Sequence, residues 1–302
     1  MRLLGARAPC VASKENCAYN SGVAKYWPLI KSLQTGLLLA TGLAGFMSAR
    51  SPVFNLPAIL SLAGSLFLAI AGSTVLNMWY DRDIDAVMKR TCWRPLPTRL
   101  ITPPQALAFG LLLSVFGVGW ALVIDLQYGA VVYAGLFLDV VVYTLWLKRR
   151  TCWSIAWGGL SGAMPILGGR VLGVGELDWI GVCLALAVLF WIPTHTLTFS
   201  MKFLEDYQAA RVPTFPSSYG FRVTRHVIAL SSLLAAAAMT ISVLGIGMAW
   251  GYLNLLAVLT AGLLLLALRS SLRPSERVNF VLFRYASLYM AAAMLLIVLD
   301  VI

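Results

Sequence analysis

The sequence predicts an all-α integral membrane protein, a bundle of nine transmembrane helices, and three observations lead to this fold class. Of the 302 residues, 60% are hydrophobic and only 12% are charged, and the mean hydropathy is +0.83. A soluble domain carries about 25% charged residues. Several continuous apolar runs reach the roughly 20 residues that an α-helix needs to cross a bilayer. Because these runs do not alternate between apolar and polar residues, they predict helices rather than a β-barrel.

Nine of these runs are predicted to span the membrane, and the fifth has the weakest hydrophobic signal. It is rich in glycine, at a density that suits close packing between helices. The nine predicted spans are approximately residues 30–49, 57–77, 104–123, 128–147, 154–172, 178–200, 226–247, 250–268 and 280–300.

The positive charges predict the orientation of these spans. Of the 23 Lys and Arg, 21 fall on the side of the N-terminus, and only Arg50 and Arg170 fall on the opposite side. Because Lys and Arg concentrate in the cytoplasmic loops of membrane proteins, this asymmetry predicts a cytoplasmic N-terminus. The net charge of +11 is therefore explained by topology, and we expect no nucleic-acid partner.

The domain organisation that we expect is simple. Residues 1–25 contain no apolar segment of signal-peptide length and predict a disordered cytoplasmic tail. The loops on the opposite side of the membrane are too short to fold alone. We therefore expect residues 26–302 to form a single transmembrane domain, embedded in the lipid bilayer of a plasma membrane.

An acidic cluster follows the second predicted span on the cytoplasmic side. Asn77, Asp81 and Asp85 are spaced four residues apart, so that on a helix their side chains lie within about 80° of one another. One amide and two carboxylates directed at one point suit Mg²⁺, which usually completes its coordination with water and substrate phosphate. The bases that would attract such a phosphate are Arg82, Lys89, Arg90 and Arg94. The alternative interpretation is a solvated helix end with surface acids.

A second acidic and basic cluster lies in the loop after the sixth predicted span. It contains Lys202, Glu205, Asp206 and Tyr207. The dipeptide Glu-Asp is a weak signal by itself, but the loop faces the same compartment as the first cluster. The two clusters together indicate a group with several negative oxygens, such as a diphosphate, held through Mg²⁺.

Three stretches resemble the UbiA superfamily of intramembrane prenyltransferases and, among its branches, the protoheme IX farnesyltransferases. "NMWYDRDIDAVMKRTCWRPLP" (77–97) is similar to the first aspartate-rich motif of the superfamily, NxxxDxxxD. "YTLWLKRRTCWSIAWGGLSGAMPILGG" (143–169) and "PTHTLTFSMKFLEDYQAARVPTFP" (193–216) resemble two segments of that branch. The resemblance covers roughly residues 25–302. It implies a helical bundle around a central cavity that opens toward the lipid.

The resemblance also implies a reaction: transfer of a farnesyl group from farnesyl diphosphate to a vinyl group of heme b, giving heme O, with Mg²⁺ as cofactor. It assigns one Mg²⁺ to Asn77, Asp81 and Asp85. It assigns the second to Asp206, with Glu205 as an added candidate, and it makes the three aspartates the catalytic residues. The implied diphosphate contacts are Arg94, Lys148, Arg149 and Lys202.

Two residues are candidates to contact the acceptor, His195 and Tyr207. His195 could bind the heme iron or a propionate, or place a water, and the alternative is a hydrogen-bonded structural histidine. Near the proposed acceptor pocket, Arg170 replaces an aromatic residue that is usual in the family. Asp139, an acid within the fourth span, has Arg170, His195 and Tyr143 as candidate partners.

Other functions remain open. One is a UbiA-type prenyltransferase with another acceptor, namely a phenolic or quinone precursor, chlorophyllide or a glycerol phosphate. Another is a cation transporter, although transport places ionisable groups near the bilayer midplane, whereas most acids here gather at one surface. A heme A synthase, which would act on the product, is a candidate partner.

Overall fold

The computed structural model describes residues 22–50 and 55–302. Within these ranges the chain is helical and has no strand, which confirms the all-α prediction. The predicted tail lies outside the described residues up to position 21. Its last four residues begin a 3-10 helix, Gly22–Ile30.

Eleven α-helices follow this 3-10 helix in the described part of the chain. The helix α5 continues directly into a π-helix, Leu138–Leu147, in which hydrogen bonds join residues five apart. The α-helices are α1 (Ser32–Met47), α2 (Leu56–Tyr80), α3 (Arg82–Val87), α4 (Pro103–Ile124), α5 (Leu126–Phe137), α6 (Ser154–Val174), α7 (Trp179–Lys202), α8 (Leu204–Ala209), α9 (Phe215–Ile246), α10 (Trp250–Leu272) and α11 (Glu276–Leu299).

Seven helices in the described ranges are long and apolar enough to cross a membrane: α2, α4, α5 with its π-helix, α7, α9, α10 and α11. The 3-10 helix and α1 form an eighth candidate, bent by 57° at their junction. The predicted fifth span coincides with α6, which has 21 residues but is not among these apolar candidates. The chain is therefore a multi-pass membrane protein, and the count of nine spans stays a prediction.

The outward faces of α4 and α10 are apolar. Val115 and Phe116 on α4, and Val258 and Leu265 on α10, are each about two-thirds exposed. Apolar side chains exposed in such rows are unfavourable in water and favourable in hydrocarbon. These two faces therefore fit contact with lipid.

The buried apolar residues of the described ranges form four clusters, and the two largest join the helices of the bundle. One is built mainly by α6, α7, α9, α10 and α11, and includes Ile166, Leu184 and Met239. The other is built by α1, α2, α4 and α5 around Leu62 and Tyr128. Helix α6 packs against α1 and α5 on one side and against α7 on the other. It therefore joins the two halves of the bundle.

The contact between α1 and α6 depends on glycine. A Cβ atom added to Gly45 would overlap the backbone carbonyl of Ile166, and one added to Gly169 would overlap that of Gly42. Small residues let two helices approach at backbone distance, which is how membrane helices associate without a hydrophobic driving force. This contact explains why the predicted fifth span is rich in glycine and weakly apolar.

At the end of the bundle opposite to the acidic clusters, two arginines hold helix ends together. Arg170 on α6 donates to the carbonyl oxygen of Ser48, and its Nη2 lies 2.7 Å from Oδ2 of Asp178. Arg50, just after α1, donates to the carbonyl oxygen of Gly247 at 2.8 Å. The two basic residues that the sequence places opposite the N-terminus therefore fix the ends of neighbouring helices.

Candidate active site

The first acidic cluster lies where α2 ends and α3 begins. The backbone N–H of Asp81 donates to the carbonyl oxygen of Asn77 at 2.9 Å, and that of Asp85 donates to the carbonyl oxygen of Asp81 at 2.8 Å. The four-residue spacing therefore continues from α2 into α3. Asn77 is 9% exposed, and Asp81 and Asp85 are each 4% exposed. The side chain of Asp83, in contrast, is 60% exposed. Burial of this kind does not fit a solvated helix end.

The Asp81 carboxylate is held from the end of the π-helix. Lys148 Nζ donates to its Oδ2, and Nη2 of Arg149 lies 3.8 Å from its Oδ1. This Oδ1 atom is buried and has no hydrogen-bond partner among the described residues. Because a buried polar atom without a partner is costly, Oδ1 is a favourable position for a cation.

The other two aspartates of the loop are paired with arginines. Nη1 of Arg94 lies 2.9 and 2.7 Å from the two carboxylate oxygens of Asp85. Arg149 bonds both oxygens of Asp83 at 2.7 and 2.6 Å and also donates to the carbonyl oxygen of Tyr80 at 2.9 Å. The Arg149 hydrogen bonds lower the pKa of Asp83 below its ordinary value. Three of the four predicted diphosphate contacts thus adjoin the first cluster.

Asn77 takes part in a separate network inside the bundle. Its Nδ2 donates to Oδ2 of Asp139 at 2.8 Å, and its Oδ1 accepts from Oγ1 of Thr144 at 2.7 Å. The hydroxyl of Ser73 donates to the same oxygen of Asp139.

Neither Ser73 nor Asn77 was among the partners that the sequence suggested for Asp139. Of those suggested, Arg170 lies at the far end of the bundle, whereas Tyr143 is within electrostatic reach of Asp139. Ser73 and Asn77, the two residues that bond Asp139, both lie on α2, more than 60 residues away along the chain.

The second acidic cluster lies at the junction of α7 and α8. Asp206 is 8% exposed, whereas Glu205 and Lys202 are exposed. The backbone N–H of Arg90, in the loop after the first cluster, donates weakly to Oδ2 of Asp206 at 3.4 Å. The two acidic loops are therefore in contact, as their shared side of the membrane predicts.

Arg90 strengthens this contact. Its guanidinium lies over the rings of Phe199, Phe203 and Tyr207, at 5.1, 5.9 and 5.1 Å from their centroids. It also donates to the Tyr207 hydroxyl at 3.1 Å. Cation–π contacts of this geometry are worth about 0.5–2 kcal/mol each. Arg90 therefore joins the loop of the first cluster to the helices that carry the second.

A groove of about 550 Å³ opens beside the second cluster. It carries three basic and three acidic side chains. These are Lys89, Arg90, Lys202, Glu205, Asp206 and Glu276. Lys202 Nζ lies 4.3 Å from the centroid of the Phe280 ring. Lys202 therefore lines the groove beside the second cluster, whereas the other three predicted diphosphate contacts bond the aspartates of the first cluster.

His195 lies on α7 between two aromatic rings. Its ring stacks on Trp191 at 5.2 Å and on Phe283 at 4.5 Å between centroids. Nδ1 lies 3.0 Å from the hydroxyl of Ser287, which can itself donate to the carbonyl oxygen of Phe283. With that arrangement, Nδ1 carries the proton and Nε2 offers a lone pair. The histidine is thus hydrogen-bonded, as the structural alternative requires.

The carboxylates fit Mg²⁺ only together with a substrate. Among the described residues no group of three His, Cys, Asp or Glu side chains could hold a metal ion. Mg²⁺ is usually bound by one or two carboxylates, with water and substrate phosphates completing its coordination. The unpartnered Oδ1 of Asp81 and the adjacent bases match that kind of site.

One basic residue near the site was not among the predicted contacts. Lys31 lies at the bend between the 3-10 helix and α1, with a left-handed backbone (φ 50°). It is within electrostatic reach of Arg94, Lys148 and Asp85. Its position in sequence, at the start of a span, gave no signal of this, because the residues around it come from distant segments.

Comparison with known proteins identifies the family. The sequence model of the UbiA prenyltransferase family matches residues 38–295. The chain belongs to this family. A protoheme IX farnesyltransferase of Archaeoglobus fulgidus is 39% identical over 261 residues, which cover 85% of this chain and 91% of that protein. The prediction made from the aspartate-rich motif is thus confirmed.

Solved structures of UbiA proteins share the fold. A digeranylgeranylglyceryl phosphate synthase superposes with a TM-score of 0.77 at 18% identity, over 92% of this chain and 97% of that one. A UbiA homologue from Archaeoglobus fulgidus, bound to GPP and Mg²⁺, gives a TM-score of 0.65 at 16% identity, over 90% of this chain and 99% of that one. The bundle of this chain is therefore of the UbiA type.

Proposed function

We propose that this UbiA-family chain is a protoheme IX farnesyltransferase, which transfers the farnesyl group of farnesyl diphosphate to a vinyl group of heme b and so forms heme O. The observation that carries the proposal is the pair of buried aspartates at one end of the bundle, Asp81 and Asp85, each in contact with a base. The Archaeoglobus fulgidus farnesyltransferase, similar over most of both chains, supports heme b as the acceptor.

The proposed metal ligands come from both acidic loops. One Mg²⁺ is assigned to Asn77, Asp81 and Asp85, and the second to Asp206 with Glu205. When bound, Mg²⁺ stabilises the negative charge that develops on the departing diphosphate. The contact of Arg90 with Asp206 and Tyr207 joins the two loops, so both sets of ligands could act on one substrate group.

The bases orient the diphosphate. Arg94, Lys148 and Arg149 already adjoin the first cluster, so a modest side-chain rotation would bring their N–H groups to phosphate oxygens. Lys202 would approach from the rim of the groove. Charge-assisted hydrogen bonds of this kind are short and strong, and they stabilise the leaving group as its charge increases.

In the proposed reaction, the farnesyl group and a water add across a vinyl group of heme b. The allylic C–O bond of farnesyl diphosphate breaks, and its electron pair leaves with the diphosphate. The vinyl group of heme b attacks the allylic carbon, and a water then adds at the adjacent vinyl carbon and loses a proton. An apolar interior protects the allylic cation from premature reaction with water.

The proposed acceptor contacts are His195 and Tyr207. A flat porphyrin suits the aromatic surface that Trp191, His195 and Phe283 form between α7 and α11. If Nδ1 donates to the Ser287 hydroxyl, Nε2 of His195 offers the lone pair that a heme iron accepts. Tyr207 accepts a hydrogen bond from Arg90, which also lies over Phe199, a neighbour of Phe283.

The proposal extends to the arrangement in the membrane. Residues 26–302 act as one domain with nine spans around a central cavity that opens toward the lipid, in a plasma membrane. The two acidic loops face the cytoplasm, as the distribution of Lys and Arg supports. A heme A synthase, which would consume heme O, is the partner enzyme that we expect.

The first test is product analysis. Purified protein in nanodiscs is incubated with Mg²⁺, farnesyl diphosphate and heme b, and heme O is measured by mass spectrometry. We expect heme O from the wild type and a loss of at least 100-fold in Asp81→Ala, because one carboxylate ligand is removed and Lys148 loses its partner. Asp125→Asn is the matched control, since Asp125 only caps α5 and asparagine caps equally well.

The alternatives give different results in the same assay. Diphosphate release that depends on Mg²⁺ and on a phenolic acceptor, without heme O, would retain the aspartate site and reject heme b. An absence of diphosphate release with every prenyl acceptor would reject the prenyltransferase proposal for this chain.

A further inference from the structure

A row of polar contacts joins α2 to the π-helix and includes Asn77 and Asp81 of the first cluster. On one side the row uses Ser73 and Asn77 of α2 and Asp81 at its C-terminal end, spaced four residues apart. On the π-helix side, Asp139 bonds the first two, Thr144 bonds the second, and Lys148 bonds the third. Asp139 is the member of this row that lies deepest within its span.

The π-helix is what brings Asp139 and Thr144 to one face. Residues five apart differ by about 140° around an α-helix, so an α-helical segment would direct these two side chains apart. A π-helix repeats with hydrogen bonds between residues five apart, as the bond from Lys148 N–H to the Tyr143 carbonyl shows at 2.8 Å. Residues 139 and 144 therefore follow one another by a single turn, and both reach Asn77.

The chemistry of the partners determines which way the Asn77 amide faces. A carboxylate only accepts hydrogen bonds, so the amide nitrogen of Asn77 must face Asp139. The Thr144 hydroxyl donates to Asn77 Oδ1 on the other side. A carbonyl oxygen has two lone pairs, so one remains for a further partner. Without Asp139, the amide could turn over and present NH₂, which cannot bind a cation.

We propose that Asp139 is a positioning residue of the donor site, which fixes the Asn77 amide so that its oxygen is the atom available to Mg²⁺. This inference rests on the proposed function, because it takes Asn77 as a metal ligand. Asp139 acts through Asn77, in the way that the outer partners of metal ligands orient those ligands. The intramembrane position of this acid thereby has a functional explanation.

The test measures metal affinity rather than turnover. Mn²⁺, used as a probe for the Mg²⁺ site, is titrated by electron paramagnetic resonance into nanodisc-embedded protein with farnesyl thiodiphosphate, an unreactive analogue of the donor. Asp139→Asn is expected to weaken Mn²⁺ binding by about 10–100-fold, the usual cost of losing an outer partner of a metal ligand. Asp125→Asn, on the same helix as a matched acid-to-amide change, is expected to bind Mn²⁺ like the wild type.

Exchanging the two residues distinguishes loss of the Asn77 orientation from a general loss of structure. In Asn77→Asp/Asp139→Asn, the carboxylate moves to position 77, where its two equivalent oxygens need no orientation, and asparagine 139 can donate to it. We expect this double variant to recover Mn²⁺ affinity to within a few-fold of the wild type. Recovery would also show that a chain carrying Asp139→Asn can fold and bind the metal.

The outcomes distinguish this inference from the proposed function. Wild-type Mn²⁺ affinity in Asp139→Asn, alongside a strong loss in Asp81→Ala, would overturn the role of Asp139 and leave the proposed metal site intact. A folded double variant that binds no better than Asp139→Asn would also overturn it. Unchanged affinity in Asp81→Ala would reject the metal site itself and, with it, the inference.

Discussion

At the scale of single residues, charge compensation dominates the acidic end of the molecule. Asp81 and Asp85 are almost fully buried, and each is bonded to a base that itself is only about one-fifth exposed. Removing one member of a buried pair leaves an uncompensated charge, which costs about 3–5 kcal/mol. The pairs therefore hold the loops of the site in position as well as serving the proposed chemistry.

The opposite end of the molecule has a similar pair that should make stability depend on pH. Burial raises the pKa of Asp178, but the hydrogen bonds from Arg170 and from the backbone of Gly181 outweigh it and hold the pKa below its ordinary value of 3.8. A folded-state pKa that is lower than the unfolded one stabilises the fold at higher pH. The contribution is complete above about pH 5 and is lost as the pH falls through the lowered pKa.

Asp178→Asn should therefore lower the unfolding temperature by several degrees at pH 7, because a hydrogen bond to a charged group contributes about 1.5–3 kcal/mol. Thermal unfolding in detergent from pH 3 to pH 7 measures the difference from the wild type. This difference should shrink below pH 4, where the wild-type carboxyl becomes protonated. A difference that stays constant over the whole range would show that the charge of Asp178 contributes nothing.

Local spacing made part of the site predictable. The four-residue register of Asn77, Asp81 and Asp85 continues from α2 into α3, and all three side chains are buried. The partners of these side chains lie 9 to 67 residues away along the chain. No local pattern identifies such pairs, so the sequence did not suggest Ser73 and Asn77, the residues that bond Asp139.

At the scale of the helix, α6 shows how packing can replace hydrophobicity. Its backbone lies against that of α1 at Gly45 and Gly169, where a methyl group would overlap a carbonyl. Hydropathy therefore underestimates this helix, although it joins both halves of the bundle. The glycine pattern predicted the close contact, but the identity of the partner helix required the structure.

Gly169→Ala should destabilise the bundle, because the added methyl group has to push α1 away from α6. Overpacking of this kind costs about 1–3 kcal/mol or more, which we expect as a lower unfolding temperature in detergent. Gly119→Ala in α4 is the matched control, since a Cβ there meets nothing within 4 Å. The control should be neutral or slightly stabilising. Equal effects of the two substitutions would contradict the backbone contact as the cause.

At the scale of the whole molecule, the helix ends define two opposite surfaces. Asp300, which follows α11, is bonded to Arg50, which follows α1. The acidic loops lie at the other end, next to the start of α1. The chain therefore ends on the surface opposite to the acidic loops.

Alkaline phosphatase fusions in a bacterial host should report this arrangement, because the enzyme needs disulfides that form only outside the cytoplasm. A fusion after Ile302 should be active, and one after Arg211, in the loop of the second cluster, should be inactive. Matched expression levels, measured by immunoblot, control for differences in synthesis. The reverse pattern would invert the proposed orientation, and two active fusions would contradict the assignment of opposite sides.

Composition and charge distribution predicted most of this overall plan, because the bilayer restricts a spanning chain to helices and the positive charges sort their ends. The same reasoning could not predict the break at Asp81, the bend at Lys31 or the π-helix. Each of these depends on contacts between segments that are distant in sequence. The site was predicted as a set of residues, and the structure adds how they are connected.

The π-helix also has a consequence for comparing this chain with its relatives. A stretch with bonds between residues five apart contains more residues per turn than an α-helix, so Leu138–Leu147 is offset against any relative whose equivalent helix is wholly α-helical. An ungapped alignment could match either Asp139 or Lys148 to its true counterpart, but not both. An alignment with such a relative should therefore allow a gap in this segment before residues are assigned to the site.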